Sequence, residues 1–369
     1  MTFEAGLDIR LSLRNGAVEA VDIASTRLVQ AAGLMAGRKP EQVTGLLPSL
    51  FALCGTAQGI AAARAFEAAA GWTAPPALEA ARTVLLGVET LVEHASAILR
   101  DWPALLGEEP DLTALRPLRP LITASRHALF PSGGWATPGG GGLAPPPAAL
   151  ADLLRALAAL RALDSEDAVP IRLMRHLAAQ GLESFGASDI PLMPVGGPSD
   201  LEDRLAADRD GTYLARPDSQ GRVYETGCLT RLAAYPTIAA LRGRHGNSLA
   251  ARFAARQVEI AEILRKLEDL AQDLTTAPTT TFSPAGTGAG IGLVEAARGL
   301  LVHRVELEEG VVRRYQILAP TEWNFHPDGP LVRGLRGAEA TPDLHWRARV
   351  LAAALDPCVA CSVEIAGHA

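Results

Sequence analysis

Alternating apolar and polar residues stand near the start of the chain. Residues 7–13 read Leu-Asp-Ile-Arg-Leu-Ser-Leu, and a second alternating segment runs over residues 17–23. Between them lies Arg14-Asn15-Gly16, and Asn-Gly favours a two-residue hairpin turn because both residues tolerate positive φ angles. The pattern therefore predicts a β-hairpin.

Most of the other apolar positions follow a helical period. This period predicts helices over residues 60–70, 76–99 and 148–163, and the longest helix over residues 248–274. The apolar face of the longest helix consists of Phe253, Val258, Ile260, Ile263, Leu264, Leu267 and Leu270. A stripe of this kind is typical of a helix that packs against a core on one side.

A second hairpin is predicted further along the chain. Its strands are residues 305–307 and 314–318, and Glu309-Gly310 lies at its turn. The fold class that follows is mainly α (α+β), with small β-hairpins near each end. The length fits one large domain or two, and the Pro- and Gly-rich segment 131–147 departs from the helical pattern as a flexible excursion on the surface.

Composition and charge exclude several classes of function. The chain has 369 residues, 48% of them hydrophobic and only 5% aromatic, which fits an Ala-rich helical protein. Its net charge is −7 and its basic residues are scattered, so we expect neither nucleic acid nor a membrane surface as a partner. The first residues lack the pattern of a signal peptide and no apolar run reaches membrane-spanning length, so a cytoplasmic location is predicted.

The four cysteines carry the candidate chemistry. Cys358 and Cys361 form a C-x-x-C pair, which on its own indicates half of a zinc site, a redox dithiol or part of a larger cluster. Cys54 and Cys228 are isolated in sequence and supply no second tight pair. Cys54 precedes a predicted helix, where the helix dipole would lower its pKa and favour metal binding. The alternative for Cys54 is a small residue of the core.

The segment around the C-x-x-C pair resembles a known family. Asp356-Pro357-Cys358 with Cys361 is similar to the closing motif of nickel–iron hydrogenase large subunits. Further segments resemble that family in the same order along the chain: Gly37-Arg38-Lys39-Pro40, Cys54 with the Ala-rich helix after it, residues 221–231, residues 295–303 and residues 318–325. The resemblance covers the whole chain and implies a single domain over residues 1–369, built as a helical bundle like that of the large subunits.

The resemblance assigns roles to the cysteines. In the family, four thiolates hold nickel and iron; here Cys54 and Cys361 match the two thiolates that bridge to iron, and Cys358 matches a terminal nickel ligand. Phe51 stands where the other nickel ligand would be. Because phenylalanine has no lone pair to donate, the resemblance implies no nickel and no hydrogenase activity. Cys228 lies at a proline position of the family, which implies a packing residue.

Two further residues take roles from the resemblance. Arg298 matches the arginine beside the carbonyl and cyanide ligands of the iron, where a guanidinium can donate hydrogen bonds. Glu4 matches a glutamate that relays protons near a cysteine. Without the resemblance, Arg298 would be read as an ordinary surface ion pair and Glu4 as a solvated residue.

A chain that keeps iron-holding thiolates but not a full nickel set resembles the accessory HupK/HoxV group of hydrogenase assembly proteins. The implied function is that of a scaffold, not an enzyme. It would transiently hold iron with carbonyl and cyanide ligands through Cys54, Cys361 and Cys358. Maturation chaperones would deliver this group, and the large-subunit precursor would receive it.

Three alternatives to the scaffold remain open at this point. One is an enzyme with residual hydrogen chemistry, which the replacement of a nickel ligand by Phe51 disfavours. The chain could be a degenerate large subunit that binds no metal and acts as an interaction or regulatory partner in assembly. It could also store zinc through Cys358 and Cys361.

Overall fold

The computed structural model describes residues 6–26, 29–51, 53–144, 147–274 and 288–366. Within these residues the strands are β1 (Gly6–Arg14), β2 (Ala17–Ser25), β3 (Gly288–Ala296), β4 (Gly299–Glu308), β5 (Val311–Leu318) and β6 (Ala360–Ala366). The α-helices are α1 (Pro40–Leu50), α2 (Gly55–Ala69), α3 (Pro76–Ser96), α4 (Leu112–Leu115), α5 (Arg119–Leu129), α6 (Pro147–Ala158), α7 (Val169–Ala179), α8 (Leu201–Ala207), α9 (Thr212–Ala215), α10 (Cys228–Arg231), α11 (Pro236–His245), α12 (Leu249–Asp273), α13 (Pro320–Asn324), α14 (Pro330–Leu335) and α15 (Leu344–Leu355).

The first sheet contains the predicted hairpin and one strand that was not predicted. β1 and β2 pair in antiparallel fashion, and their turn residues Asn15 and Gly16 have φ angles of 51° and 77°, which confirms the hairpin. β6 then pairs in parallel with the free edge of β1, with Leu7 opposite Cys361, and the strand order is β2-β1-β6. This pairing places the C-x-x-C segment beside the start of the chain.

The second sheet has the order β3-β4-β5 and is antiparallel. Its β4–β5 pair confirms the second predicted hairpin. The first strand, β3, was not predicted, because Gly288, Gly290 and Gly292 interrupt its apolar alternation. Residues 275–287, between α12 and β3, lie outside the described residues.

These glycines let α2 lie directly on the sheet. A Cβ atom on Gly290 would be 2.2 Å from the backbone nitrogen of Ala69, and one on Gly292 would be 2.0 Å from the carbonyl oxygen of Ala61. Side chains at these positions would therefore separate the helix from the sheet. The close contact fixes α2 against β3, and Cys54 stands at the N-terminus of this helix.

The predicted helices are confirmed, with shifted boundaries. α2 begins at Gly55, five residues before the predicted start, and α3 passes at its end into a π-helical turn over Ala97–Asp101. The helix α6 continues as a 3₁₀ turn over Ala159–Asp164. The long helix α12 buries its predicted apolar face, and Phe253 meets Trp102 edge to face at 4.7 Å.

Within residues 131–144, the described part of the predicted surface excursion, several residues are buried instead of exposed. Ala136, Leu143 and the backbone of Gly139 are buried, and the N–H of Gly139 donates a hydrogen bond of 2.8 Å to the buried carboxylate of Glu67. Glycine makes this packing feasible, because turns without side chains bring backbone donors close to a buried acceptor.

None of the helices in the described ranges combines the length and the apolar character that a membrane crossing requires.

Candidate metal-group site

Cys54 lies in a tight turn between α1 and α2. Its backbone N–H donates a hydrogen bond of 3.2 Å to the carbonyl oxygen of Phe51. The turn is close because a Cβ atom on Gly55 would be only 2.7 Å from the carbonyl oxygen of Pro48. Phe51, which the resemblance aligns with a nickel ligand of the family, packs against a buried apolar cluster that includes Phe66.

The helix dipole does not lower the pKa of Cys54, which corrects the sequence-based expectation. The carboxylate of Glu89, buried within α3, accepts hydrogen bonds of 2.6 and 2.9 Å from the backbone N–H groups of Thr56 and Ala57. The carboxylate thus occupies the donors that begin α2. Burial, with the nearby Cys358 and Glu89, raises the pKa of Cys54 to about 12, although Arg298 and Gln58 act in the opposite direction. The thiol is therefore protonated at neutral pH.

Arg298 stands at the tip of the β3–β4 hairpin and is 8% exposed. Two of its guanidinium nitrogens donate hydrogen bonds of 3.2 Å to one carboxylate oxygen of Glu93. A third nitrogen lies 3.3 Å from a carboxylate oxygen of Asp356. Burial alone would lower the pKa of Arg298, but Asp356, Cys358, Glu93 and Cys54 together raise it. It is a buried cation shared by several acidic groups, rather than the surface ion pair that its position in the sequence alone would suggest.

Cys358 follows the end of α15, where Asp356 has a left-handed backbone conformation. Asp356 ends the helix with a φ of 55°, and the side chain of Cys358 is half-buried with its Sγ 3.0 Å from the hydroxyl of Thr321. Cys358 is close enough to Cys54 and Arg298 to shift the pKa of both. The structure thus brings together Cys54, Cys358 and Arg298.

Cys361 occupies a different place. It lies on β6, where the residue as a whole is exposed but its sulfur is partly enclosed. This partial burial and the nearby carboxylate of Asp8 raise the pKa of Cys361 to about 11. Neither Cys54 nor Arg298 contributes to that shift. Cys54 and Cys358 thus share the neighbourhood of Arg298, whereas the resemblance places Cys54 with Cys361 on the iron. Glu4 lies outside the described residues.

Three of the segments that resemble the family, residues 221–231, 295–303 and 318–325, are joined by hydrogen bonds next to Arg298. The Thr226 N–H donates 3.0 Å to the side chain of Asn324, whose amide nitrogen donates 2.9 Å back to the carbonyl oxygen of Thr226. The hydroxyl of Thr226 accepts 2.9 Å from the N–H of Leu300. A Cβ atom on Gly299 would lie 2.5 Å from that hydroxyl, so glycine is required beside Arg298. The three segments thereby fix the hairpin tip that carries Arg298.

Comparison with known proteins agrees with this architecture. The family model for nickel-dependent hydrogenase matches residues 212–364. The chain is 35% identical to the hydrogenase expression/formation protein HupV of Azotobacter chroococcum mcd 1, over 97% of this chain and 98% of that protein. It is 33% identical to the hydrogenase expression/formation protein HoxV of Cupriavidus necator, over 99% and 98% of the two chains.

The chain belongs to the HupV/HupK/HoxV family of hydrogenase expression/formation proteins.

The chain also shares its fold with Ni-Fe-Se hydrogenases of known structure. A reduced, active form of the Ni-Fe-Se hydrogenase from Desulfomicrobium baculatum superimposes with a TM-score of 0.77, with 97% of each chain covered and 16% sequence identity. The corresponding enzyme from D. vulgaris Hildenborough gives a TM-score of 0.73 over 94% of each chain. The α+β large-subunit-like fold expected from the sequence is confirmed.

The formation protein contains a second buried cluster that sequence reasoning missed. Nε2 of His94 lies 2.7 Å from a carboxylate oxygen of Glu259 and 3.5 Å from Sγ of Cys228. In the part of the chain that the structure describes, this is the one set of three His, Cys, Asp or Glu residues whose ligand atoms all lie within 4.8 Å of one another. The three sulfurs of Cys54, Cys358 and Cys361 do not meet that distance.

The second cluster is poorly suited to a metal ion. Arg231 donates hydrogen bonds of 2.5 and 2.7 Å to the two oxygens of Glu259, so its positive charge already occupies the carboxylate. Burial, with Glu259, raises the pKa of Cys228 to about 12. Cys228 is buried, as expected of a packing residue. A sequence signal for this polar layer exists: Arg252, Arg256 and Glu259 recur every three or four residues along α12.

Proposed function

We propose that this formation protein is a scaffold in hydrogenase maturation. It holds an iron group with carbonyl and cyanide ligands before that group passes to the catalytic large subunit. The observation that carries the proposal is the meeting of Cys54, Cys358 and Arg298 from three distant parts of the chain. Thiolates are suitable ligands for iron, and a guanidinium offers charge and hydrogen bonds to an anionic group.

The proposal gives different roles to the three cysteines. Because Cys54 and Cys358 share the buried neighbourhood of Arg298, we assign the iron group to this pair. Cys361 on the exposed strand β6 is then the thiol through which the group enters or leaves. This assignment exchanges the roles that the resemblance gave to Cys358 and Cys361.

Transient holding follows from the protonation state of the site. The Cys54 thiol, with a pKa of about 12, must lose its proton when it binds iron, and this proton competes with the metal. Phe51 adds no further sulfur ligand. A two-thiolate site is weaker than the four-thiolate site of the family, which suits a group that maturation chaperones deliver and the large-subunit precursor accepts.

An infrared spectrum with metal analysis tests the proposal. The protein is co-produced with its native maturation proteins and purified without oxygen, and we expect carbonyl and cyanide bands with iron but without nickel. Cys54→Ala and Cys358→Ala should each abolish the bands. Cys228→Ala is the matched control, because that buried cysteine contacts His94 in the second cluster.

The outcomes separate the scaffold from its competitors. Absence of bands and of iron in the wild-type protein would contradict the scaffold and favour a metal-free partner in assembly. Zinc bound through Cys358 and Cys361, without bands, would indicate storage. Bands that survive Cys358→Ala but disappear in Cys361→Ala would restore the pairing implied by the resemblance.

A further inference from the structure

A row of buried, hydrogen-bonded side chains runs from Cys54 into the second sheet. The amide nitrogen of Gln58 lies 3.7 Å from the sulfur of Cys54. The amide oxygen of Gln58 lies 2.9 Å from Nε2 of His303. On the other side of the ring, Nδ1 of His303 lies 2.8 Å from the hydroxyl of Tyr315. Gln58, His303 and Tyr315 are 2%, 0% and 5% exposed, so water does not compete for these hydrogen bonds.

The contact of α2 with the sheet creates this row. Gln58 follows Cys54 by four residues and therefore lies on the same face of the helix. His303 on β4 is the register partner of Gly292 on β3, and both side-chain positions point to the face that α2 covers. Because Gly292 has no side chain, α2 can lie close enough for Gln58 to reach the imidazole.

All the hydrogen bonds in this row are donated in the same direction along it. Gln58 uses its only acceptor, the amide oxygen, towards His303, so its amide nitrogen faces the sulfur. His303 must then donate through Nε2–H, and its Nδ1 accepts the proton of the Tyr315 hydroxyl. The ring is neutral, since burial lowers the pKa of His303 to about 3. Every hydrogen bond in the row is thus donated towards Cys54.

We infer that His303 and Tyr315 are positioning residues, which hold the amide of Gln58 as a hydrogen-bond donor to the sulfur of Cys54 and so set how tightly that sulfur holds its metal group. This inference rests on the proposed function. Without the imidazole, the amide of Gln58 can turn over and present its oxygen, which repels a thiolate. Partners behind a metal ligand orient it and tune its bond to the metal in this way.

Cobalt binding to the metal-free protein is the first test. Co²⁺ alone is titrated under anaerobic conditions, and the thiolate-to-cobalt absorption reports binding, with Cys54→Ala defining the share of the signal that depends on that sulfur. We expect Gln58→Leu to weaken the Cys54-dependent binding roughly 10-fold or more, and Tyr315→Phe to weaken it by a smaller factor. Tyr213→Phe is the matched control, because the buried Tyr213 hydroxyl makes no hydrogen bond within the described residues.

The second measurement is spectroscopic and separates positioning from folding. In the iron-loaded protein, loss of the donor leaves more electron density on sulfur and iron, so the carbonyl band should shift to lower wavenumber in Gln58→Leu and in Tyr315→Phe. A misfolded variant would lose the band instead of shifting it. Unchanged cobalt affinity and unchanged band positions in both variants would overturn the inference.

The third measurement does not depend on any metal. Nitrogen-15 NMR of the metal-free protein should show His303 protonated at Nε2 at neutral pH. A ring protonated at Nδ1 would overturn the inference even if the scaffold proposal holds. Wild-type protein that shows this Nε2–H tautomer but binds neither Co²⁺ nor the iron group would instead contradict the proposed function.

Discussion

Nε of Arg298 lies 3.3 Å from a carboxylate oxygen of Asp356, and this ion pair joins two distant motifs. Asp356 also lies 3.2 Å from Arg256 on α12, and although burial alone would raise the pKa of Asp356, these two arginines lower it. Cys358 follows Asp356 by two residues. The ion pair therefore brings this cysteine to the hairpin tip, where Cys54 also lies.

Removing the cation at this junction should destabilise the protein. In Arg298→Met, Glu93 and Asp356 stay buried with one positive charge fewer, and we expect the free energy of unfolding to fall by about 3 kcal/mol in urea denaturation. Arg161→Met is the control, because its pair with Glu268 is exposed and should contribute less than about 1 kcal/mol. Equal losses in the two variants would contradict a structural role for the buried pair.

Neutralising the carboxylate at the start of α2 should change both stability and thiol chemistry. Glu89→Gln keeps one acceptor oxygen for two backbone N–H groups, so we expect a loss of about 1–3 kcal/mol. It also removes a negative charge that raises the pKa of Cys54. Iodoacetamide should then modify Cys54 at lower pH than in the wild-type protein, as followed by mass spectrometry. A pH profile that does not move would show that Glu89 has no influence on the thiol.

The buried imidazole of His303 predicts a pH dependence of stability. Its pKa is about 3 in the fold because of burial, against an ordinary value of 6.5, so below pH 6.5 the unfolded chain binds a proton that the folded protein does not. As the pH is lowered from 6.5 towards 3, the free energy of unfolding should therefore decrease, by up to about 1.4 kcal/mol per pH unit.

Replacement of this histidine tests that dependence. His303→Gln should show a shallower decline than the wild-type protein between pH 6.5 and 5 in urea denaturation. His127→Gln, which removes an exposed imidazole, should leave the decline as it is. If His303→Gln and the wild-type protein decline in parallel, the buried imidazole takes up a proton without a penalty.

Two glycine replacements should change the stability of the protein in opposite directions. A Cβ atom in Gly290→Ala would meet the backbone of α2 at 2.2 and 2.3 Å, so we expect a loss of about 3 kcal/mol or more and reduced iron loading, because Cys54 moves with the helix. In Gly45→Ala, within α1, nothing lies within 4 Å of the new atom. That variant should gain about 0.5–1 kcal/mol from helix propensity. Thermal unfolding of both variants gives the comparison.

Local patterns in the sequence were sufficient for elements whose contacts are local. The first hairpin and α12 follow from alternation, turn residues and helical period. β3 was missed because three glycines hid its alternation, and β6 because its partner, β1, lies more than 300 residues away. The buried backbone of Gly139 meets Glu67, and no local pattern connects these two residues.

The residues of the candidate site could be predicted where they belong to a short motif, but not where they depend on contacts between distant elements. The motifs around Cys54, Cys358 and Arg298 were visible because each is a short run of residues. The sequence could not show that Glu89 occupies the start of α2, or that His303 stands behind Gln58, because both facts depend on which faces of distant elements meet. For this reason the helix-dipole argument gave the wrong direction for the pKa of Cys54.

The parallel pairing of β1 with β6 has a consequence for the timing of synthesis. Residues joined across these strands, such as Arg10 and Glu364, are 354 positions apart in the chain. While the ribosome is still translating the intervening segment, β1 has β2 on one side only, and Cys54 is made long before Cys358. A nascent chain can therefore form its first hairpin but not the sheet that includes β6, and it does not yet contain both Cys54 and Cys358, the pair to which the proposed function assigns the iron group.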